Sequence, residues 1–262
     1  MSLIIICGAT ATGKSELALL VAKQLDAEIV NADSMQVYRG MDIGTAKLAL
    51  EDRQGVAHHL LDLLEINQEA NVSWYQGLAR AKIDEILQSG KSVVVVGGTG
   101  LYIKAILDDL NFPDTDPKVR QQITDEAQIV GNDQMHERLA KLDPAAALAI
   151  PKENIRRVIR ALEVIQITGK PFTANLPRQA SSKYPAAKQF GLVLDRENLD
   201  SKIDKRVEDM WAKGFVREVM QLMTKGLEQA TTAKMALGYS QIMNYLNGEC
   251  DEAFAKEETK RV

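Results

Sequence analysis

The chain has 262 residues, of which 45% are hydrophobic and 26% charged, with a formal net charge of −4 at pH 7. This composition is typical of one large folded domain, or of a core with an insertion, and excludes extensive disorder. The apolar runs at 3–7 and 93–96 are far shorter than the ~20 residues of a membrane helix, and no basic signal segment precedes them, so we expect a cytoplasmic protein that binds no membrane.

The first hundred residues alternate buried strands with helices. Short apolar runs bounded by turn residues predict the strands, and apolar residues at helical spacing predict the helices, with Ser73 as a possible N-cap. The predicted strands are Leu3–Cys7, Glu28–Asn31 and Val93–Val96, and the predicted helices are Ser15–Leu25 and Ser73–Leu87. This order predicts a parallel sheet with helices on both faces.

The pattern changes at the proline-containing stretch 111–117, after which helical segments follow without a strand. They are Val119–Val130, Asp133–Lys141, Pro144–Ile150 and Asn154–Thr168. A loop at 171–187, a strand at Phe190–Leu194 and helical segments at 199–225 and 233–246 complete the chain. We therefore predict an α/β fold, with a P-loop NTPase-like parallel sheet in 1–112 and 188–262 and an all-helical insertion in 113–187.

A glycine-rich loop follows the first strand and matches the phosphate-binding pattern G-x-x-x-x-G-K-[ST]. The predicted phosphate-contacting residues are Gly8, Ala9, Thr10, Ala11, Thr12, Gly13, Lys14 and Ser15. Backbone N–H groups and the helix N-terminus favour an anion, Lys14 adds a full charge, and the Ser15 hydroxyl is a ligand suited to Mg²⁺. The pattern identifies the polyphosphate alone, so a kinase, an NTPase and a transferase that releases diphosphate all remain open.

Two further strand ends carry residues with possible chemical roles, and ligands of open α/β sheets bind at this edge. Asp33 follows the second strand and is suited to act as a general base or to hold a metal-bound water, although it is equally common as a turn residue. Thr99 lies among glycines, where it could approach a phosphate or cap a helix. The third strand ends in Gly97, where an NTPase usually has an acidic residue, and this weakens the NTPase interpretation.

Positive charge is concentrated in the second half of the chain. Residues 118–188 contain 12 Lys and Arg against 7 Asp and Glu, a balance of +5 in a chain of net charge −4. Arg156, Arg157 and Arg160 lie three and four residues apart on one predicted helix, beside an apolar stripe. This grouping indicates binding to a nucleic-acid backbone; a solvated face, or pairing of the arginines with nearby glutamates, is the alternative.

Several of these segments together resemble the bacterial tRNA dimethylallyltransferases. The matching stretches are Gly8–Ser15, Asn31–Lys47, His58–Asp62, Gly97–Tyr102, Asn154–Val164 with Thr168–Pro171, and Leu237–Tyr239. The resemblance spans residues 3 to about 250 and implies that a dimethylallyl group moves from its diphosphate to N6 of the adenosine 3′ of the anticodon, with Mg²⁺ assisting. The implied partners are the anticodon stem-loop of tRNA and dimethylallyl diphosphate, and we expect a monomer.

The resemblance also implies roles for individual residues. Asp33 is the expected base, Thr99 and Arg206 complete the catalytic group, and Ser15 is the expected metal ligand. The expected tRNA contacts are Asp33, Ser34, Met35, Gln36, Thr99, Arg120, Arg156, Arg157 and Arg160. Two alternatives are a transferase acting on free adenine nucleotide, against which the basic helical insertion argues, and an RNA-binding P-loop ATPase.

Overall fold

Buried apolar runs form the centre of a parallel sheet in the computed structural model, which describes residues 1–108, 110, 112–113, 115–175 and 182–261. The strands of this sheet are β1 (Leu3–Gly8), β2 (Ala27–Asn31), β3 (His58–His59), β4 (Ser92–Gly97) and β5 (Lys188–Leu192). They run parallel in the order β3-β2-β4-β1-β5. The predicted α/β fold is confirmed, although the last strand begins and ends two residues earlier than predicted, because its pairing with β1 stops at Gly8 opposite Leu192.

Helices α1 (Lys14–Gln24), α2 (Val72–Gln88) and α3 (Gly100–Leu107) cover this sheet. Alternate strand residues face opposite ways, and this alternation divides the apolar core. One cluster contains Ile4, Ile6, Ile29 and Val94 with residues of α1, and the other contains Leu3, Ile5, Val93 and Val95 with residues of α2 and α3. The predicted cap of α2 is wrong: Asn71, not Ser73, is the N-cap, and its Oδ1 accepts from the Trp74 N–H at 2.9 Å.

Residues 108–182 form a separate compact unit whose described part is helical. It contains α4 (Pro117–Leu142), α5 (Pro144–Ala149), α6 (Ile155–Thr168) and a 3₁₀ turn at Phe172–Asn175. Helix α4 combines two predicted helices and has a non-helical residue, Gly131, between them. This unit has its own apolar core, which includes Ile123, Met135, Leu139, Val158 and Leu162. Part of the predicted loop, 176–181, lies outside the described residues.

The first compact unit contains 1–107 and 183–262, so its boundaries lie a few residues before those predicted at 113 and 188. The reason is visible at Lys183 and Tyr184: the Lys183 N–H donates to the Leu107 carbonyl, and the Tyr184 hydroxyl donates to Asp84 at 2.8 Å. These bonds attach the chain to the sheet unit before β5 begins.

The C-terminal part of the first unit contains α7 (Arg196–Ala212), α8 (Phe215–Met223), α9 (Tyr239–Leu246) and α10 (Glu252–Arg261). The single helical segment predicted at 199–225 is two helices divided at Gly214, and α10 was not predicted. Phe215, Val219 and Tyr239 pack with Val37, Tyr38 and Met41 in a third apolar cluster of this unit. Across the ranges given above, no helix is both long enough and apolar enough to span a membrane.

Candidate active site

The phosphate loop joins β1 to α1, and two of its side chains donate hydrogen bonds to its own backbone. Gly13, at φ 87°, directly precedes α1, and no described side chain caps that helix. The Thr12 hydroxyl donates to the Ala9 carbonyl at 2.8 Å, and the Lys14 ammonium donates to the same carbonyl. The uncapped N–H groups at the start of α1 and the Lys14 ammonium are therefore suited to an anion, and the predicted phosphate contact remains a prediction.

Asp33 lies in a tight turn at the end of β2. Its N–H donates to Asn31 Oδ1 at 3.0 Å, and its own Oδ1 accepts from the Met35 N–H at 2.8 Å. Asn31 in turn donates to the carbonyls of Asp33 and Leu60, which fixes the turn against the neighbouring segment. Among the described residues no donor reaches Asp33 Oδ2, so this oxygen remains available to accept a proton from a ligand.

Thr99 connects the ends of β4 and β2. Its Oγ1 accepts from the Ser34 N–H at 3.1 Å and donates to the Ser34 hydroxyl at 3.3 Å, while its carbonyl accepts from the N–H groups of Tyr102 and Ile103 at the start of α3. The Thr99 side chain therefore does not cap α3, although capping a helix was one of the two roles that the sequence allowed. Instead it joins two of the segments that the sequence singled out, at one edge of the sheet.

Gly97 has no space for a side chain. A Cβ atom at this position would lie 2.1 Å from the Ala32 carbonyl oxygen, which is backbone and cannot move aside. Ala32 is held there because its N–H donates to the Val96 carbonyl at 2.7 Å. The absence of an acidic residue at the end of β4 therefore has a steric cause.

Two adjoining cavities of the first unit meet at four shared residues: Thr10, Asp33, Thr45 and Arg206. The polar cavity, of about 80 Å³, also exposes Lys14 and Ser15. The larger cavity has a volume of about 300 Å³. Its apolar lining consists of Ala9, Met35, Leu199, Ile203, Val207, Met210, Ala236 and Leu237. A ligand that fits both has a polar, charged end and an apolar end.

The charges around the polar cavity favour an anion. Burial lowers the pKa of Lys14; the nearby Asp33 carboxylate opposes this effect and the Arg206 guanidinium adds to it. Burial likewise lowers the pKa of Arg206, again opposed by Asp33. Two cationic groups thus face one carboxylate, and neither has full hydration. An anion in the cavity would stabilise their charged forms.

The four arginines predicted to contact tRNA, which all belong to the second unit, have different surroundings. Glu163 is fully buried and accepts from Arg120 Nε at 3.0 Å, Arg160 at 3.0 Å and the Asp116 N–H at 3.1 Å. Arg160 also donates to the Pro113 carbonyl. Arg156 and Arg157, by contrast, are exposed. The structure therefore separates the predicted arginine group into two paired and two exposed members.

Sequence reasoning missed the apolar lining of the larger cavity. Leu199, Ile203, Val207 and Met210 recur at three- and four-residue spacing along α7, and Arg206 lies on the same helix. That spacing is a signal in the sequence, but it is equally typical of a stripe that packs in a core. Thr45 also lines both cavities; it lies in the matching stretch Asn31–Lys47, but no role was predicted for it.

Comparison with known proteins agrees with this geometry. Residues 36–262 match a family model described as IPP transferase. A tRNA dimethylallyltransferase of Thermobifida fusca is 53% identical over 265 residues, covering 99% of this chain and 82% of the relative. The full-length tRNA isopentenylpyrophosphate transferase of Bacillus halodurans has 37% identity and a TM-score of 0.69, covering 99% of this chain and 82% of that one.

A further solved structure, of a eukaryotic dimethylallyltransferase acting on tRNA, has 26% identity and a TM-score of 0.84, covering 99% of this chain and 67% of the other. The family model matches most of this chain, and the alignments with these relatives cover nearly all of it. The chain belongs to the IPP transferase family.

Proposed function

We propose that the chain is a tRNA dimethylallyltransferase, which moves a dimethylallyl group from dimethylallyl diphosphate to N6 of an adenosine beside the anticodon. The observation that carries the proposal is the pair of adjoining cavities, one cationic and one apolar, which share Asp33 and Arg206. A diphosphate attached to a short hydrocarbon has the same division into charged and apolar parts. The names of the relatives support the same activity.

The diphosphate would bind at the loop Gly8–Ser15. Lys14 and the N-terminus of α1 supply positive charge there, and the apolar lining of the larger cavity excludes water from the hydrocarbon end. Mg²⁺ fits this arrangement, because the Ser15 hydroxyl and the diphosphate oxygens would together supply the oxygen ligands that it prefers. The described residues contain no group of three His, Cys, Asp or Glu side chains that could hold a metal without substrate. When bound, Mg²⁺ would neutralise charge on the departing diphosphate.

Asp33 would accept the proton of the attacking amine. The lone pair of an adenine N6 is delocalised into the ring, which makes the amine a weak nucleophile. As its bond to the allylic carbon forms, the carbon–oxygen bond breaks, the electron pair leaves with the diphosphate, and the N6 proton moves to the carboxylate. Such general-base assistance is typically worth about 10²–10⁴ in rate.

Arg206 and Lys14 would act on the leaving group. Negative charge grows on the diphosphate as the carbon–oxygen bond breaks, so two cations beside it stabilise the transition state more than the bound substrate. Burial lowers the pKa of both groups, and the weak hydration behind this shift strengthens their interaction with the growing charge. Thr99 would act through Ser34, which it fixes at the edge of the sheet.

The acceptor would be RNA, held in part by the helical second unit. Arg156 and Arg157 are exposed on α6 and are suited to phosphate contacts, whereas Arg120 and Arg160 are engaged with Glu163. An adenine in a stem-loop must leave its stack before its amine reaches a cavity in another part of the chain. A free nucleotide would not need these exposed cations.

The test is product analysis with the full chain, dimethylallyl diphosphate, Mg²⁺ and an anticodon stem-loop RNA. We expect mass spectrometry of the digested RNA to find one dimethylallyl group on adenosine, and none when guanosine replaces that adenosine. AMP supplied as the sole acceptor should yield little or no product. If the folded wild-type chain modifies AMP but not RNA, or hydrolyses ATP without transfer, the proposal is wrong.

A further inference from the structure

A buried carboxylate outside the catalytic group holds one wall of the cavity. Glu218, on α8, is only 9% exposed, and it accepts hydrogen bonds from three consecutive backbone N–H groups: Asp42 at 3.0 Å, Ile43 at 2.7 Å and Gly44 at 3.1 Å. The Tyr239 hydroxyl donates a fourth, at 2.6 Å. No Lys or Arg of the described chain forms an ion pair with this carboxylate, so neutral donors alone balance its charge.

Three consecutive N–H groups that point at one centre form a concave anion site of the kind that elsewhere binds phosphate. Here the chain supplies its own anion. Burial, and then the charge of Glu218, raises the pKa of Tyr239, so this hydroxyl keeps its proton and remains a donor. The three backbone bonds fix the peptide planes of Asp42–Gly44, because the carboxylate approaches them from the rigid α8.

The segment Asp42–Gly44 continues into the wall of the two adjoining cavities. Gly44 and Thr45 line the apolar cavity, and Thr45 also lines the polar one. The Thr45 carbonyl accepts from the Gln36 side-chain amide at 3.0 Å, which joins this wall to the turn that carries Asp33. Gly44 packs too closely for any side chain: a Cβ atom there would lie 2.3 Å from the Phe215 ring and 2.5 Å from the Tyr239 ring.

We propose that Glu218 is a positioning residue for prenyl transfer: it sets the wall Gly44–Thr45, and through Gln36 the turn of Asp33, relative to the phosphate loop. The proposal rests on the proposed function. Glu218 touches no reacting group itself. Its effect is transmitted by the three hydrogen bonds to backbone N–H groups and by the close packing of Gly44 against two aromatic rings.

The test compares E218Q with Y239F. The glutamine keeps the shape of the side chain, but one end becomes an NH₂ group that faces backbone donors, so at least one loop N–H loses its acceptor. Y239F removes the hydroxyl and leaves all three backbone bonds in place. We expect the kcat of E218Q to fall about tenfold or more, since misplacing a reacting group by ~1 Å costs up to ~100-fold, with KM for dimethylallyl diphosphate changed far less. Y239F should keep a nearly wild-type kcat.

A purely structural role gives a different result. It lowers the melting temperature and the fraction of active sites, measured by single-turnover product yield, but leaves kcat per active site unchanged. That outcome for E218Q overturns the proposal, and so does an equal loss of kcat in Y239F. If E218Q does not fold, amide hydrogen exchange of the wild type decides: the Ile43 and Gly44 N–H groups must be protected, and fast exchange overturns the proposal. Wild-type chain that transfers no prenyl group refutes the proposed function instead.

Discussion

The role of Asp33 as a base is tested most cleanly by D33N, because the structure shows what this change preserves. Asp33 Oδ1 accepts from the Met35 N–H at 2.8 Å, and an asparagine Oδ1 accepts the same bond. The turn, and with it Ser34 and Gln36, therefore stays in place. What is lost is the oxygen available for a proton and one negative charge.

These two losses act on different kinetic constants: the missing base affects kcat, and the missing charge affects KM. Without a base, kcat should fall by about 10²–10⁴, equivalent to about 2.7–5.4 kcal/mol in the barrier. The carboxylate also opposes the pKa lowering of Lys14 and Arg206, and its removal leaves the cavity more positive, so binding of the diphosphate is not weakened. We expect KM for dimethylallyl diphosphate to stay the same or decrease, and RNA affinity to remain within about twofold of wild type, since phosphate contacts set it.

The assay is single-turnover transfer to stem-loop RNA, with RNA affinity measured separately by filter binding. The matched control is D195N, which makes the same charge change at the exposed N-cap of α7; its asparagine oxygen can still accept from the Asn198 N–H. This control should retain wild-type kcat. A loss below about tenfold in D33N, or a large loss of RNA affinity with kcat intact, refutes the base assignment.

Three further changes have distinct expected results. R157A should weaken stem-loop binding and reduce the slope of log affinity against log salt by about one, because an exposed phosphate contact is lost. E163A should lower the stability of the second unit by about 3–5 kcal/mol, measured by thermal unfolding, because it leaves the cations Arg120 and Arg160 without their buried partner. K14M should abolish diphosphate binding yet raise the melting temperature at pH 7: the folded pKa of Lys14 lies below its unfolded value, so the charged form opposes folding, and this penalty declines as pH rises from the folded pKa to the unfolded one.

Each of these has a contradicting result, and two of them have a matched control. For Arg157 the control is R196A, which removes a 94% exposed arginine of the first unit, and an unchanged salt slope in R157A means no phosphate contact there. For Glu163 it is E126A, which breaks a half-exposed ion pair with Arg138 in the same unit; equal losses in the two variants contradict the reasoning. For Lys14, a melting temperature that falls in K14M at pH 7 is the opposing outcome.

Local patterns predicted the features that depend on short stretches of chain. The loop Gly8–Ser15 was predicted because its residues are contiguous and its strand and helix adjoin it. The cap of α2 was wrong because Asn71 and Ser73 both have side chains suited to capping, and the choice between them depends on where the chain enters the helix.

Features that depend on distant residues were not accessible in the same way. Arg160 and Glu163 are three residues apart, so their pairing was an open alternative, but Arg120 joins them from 43 residues away. Glu218 reaches Asp42–Gly44 across more than 170 positions, and nothing in either segment marks the partner. Such contacts arise from tertiary packing, and a single sequence does not encode them as a pattern.

The steric closure at Gly97 also limits what this fold can become. Phosphate loops of this kind are found in enzymes that hydrolyse nucleotides, and an acidic residue at the end of β4 would be the obvious addition for that chemistry. Here even a methyl group would collide with the Ala32 carbonyl, 2.1 Å away. A single substitution such as G97D would therefore disrupt the sheet edge before it supplied a carboxylate. An evolutionary or engineered route from prenyl transfer to nucleotide hydrolysis would first have to move two strand ends apart.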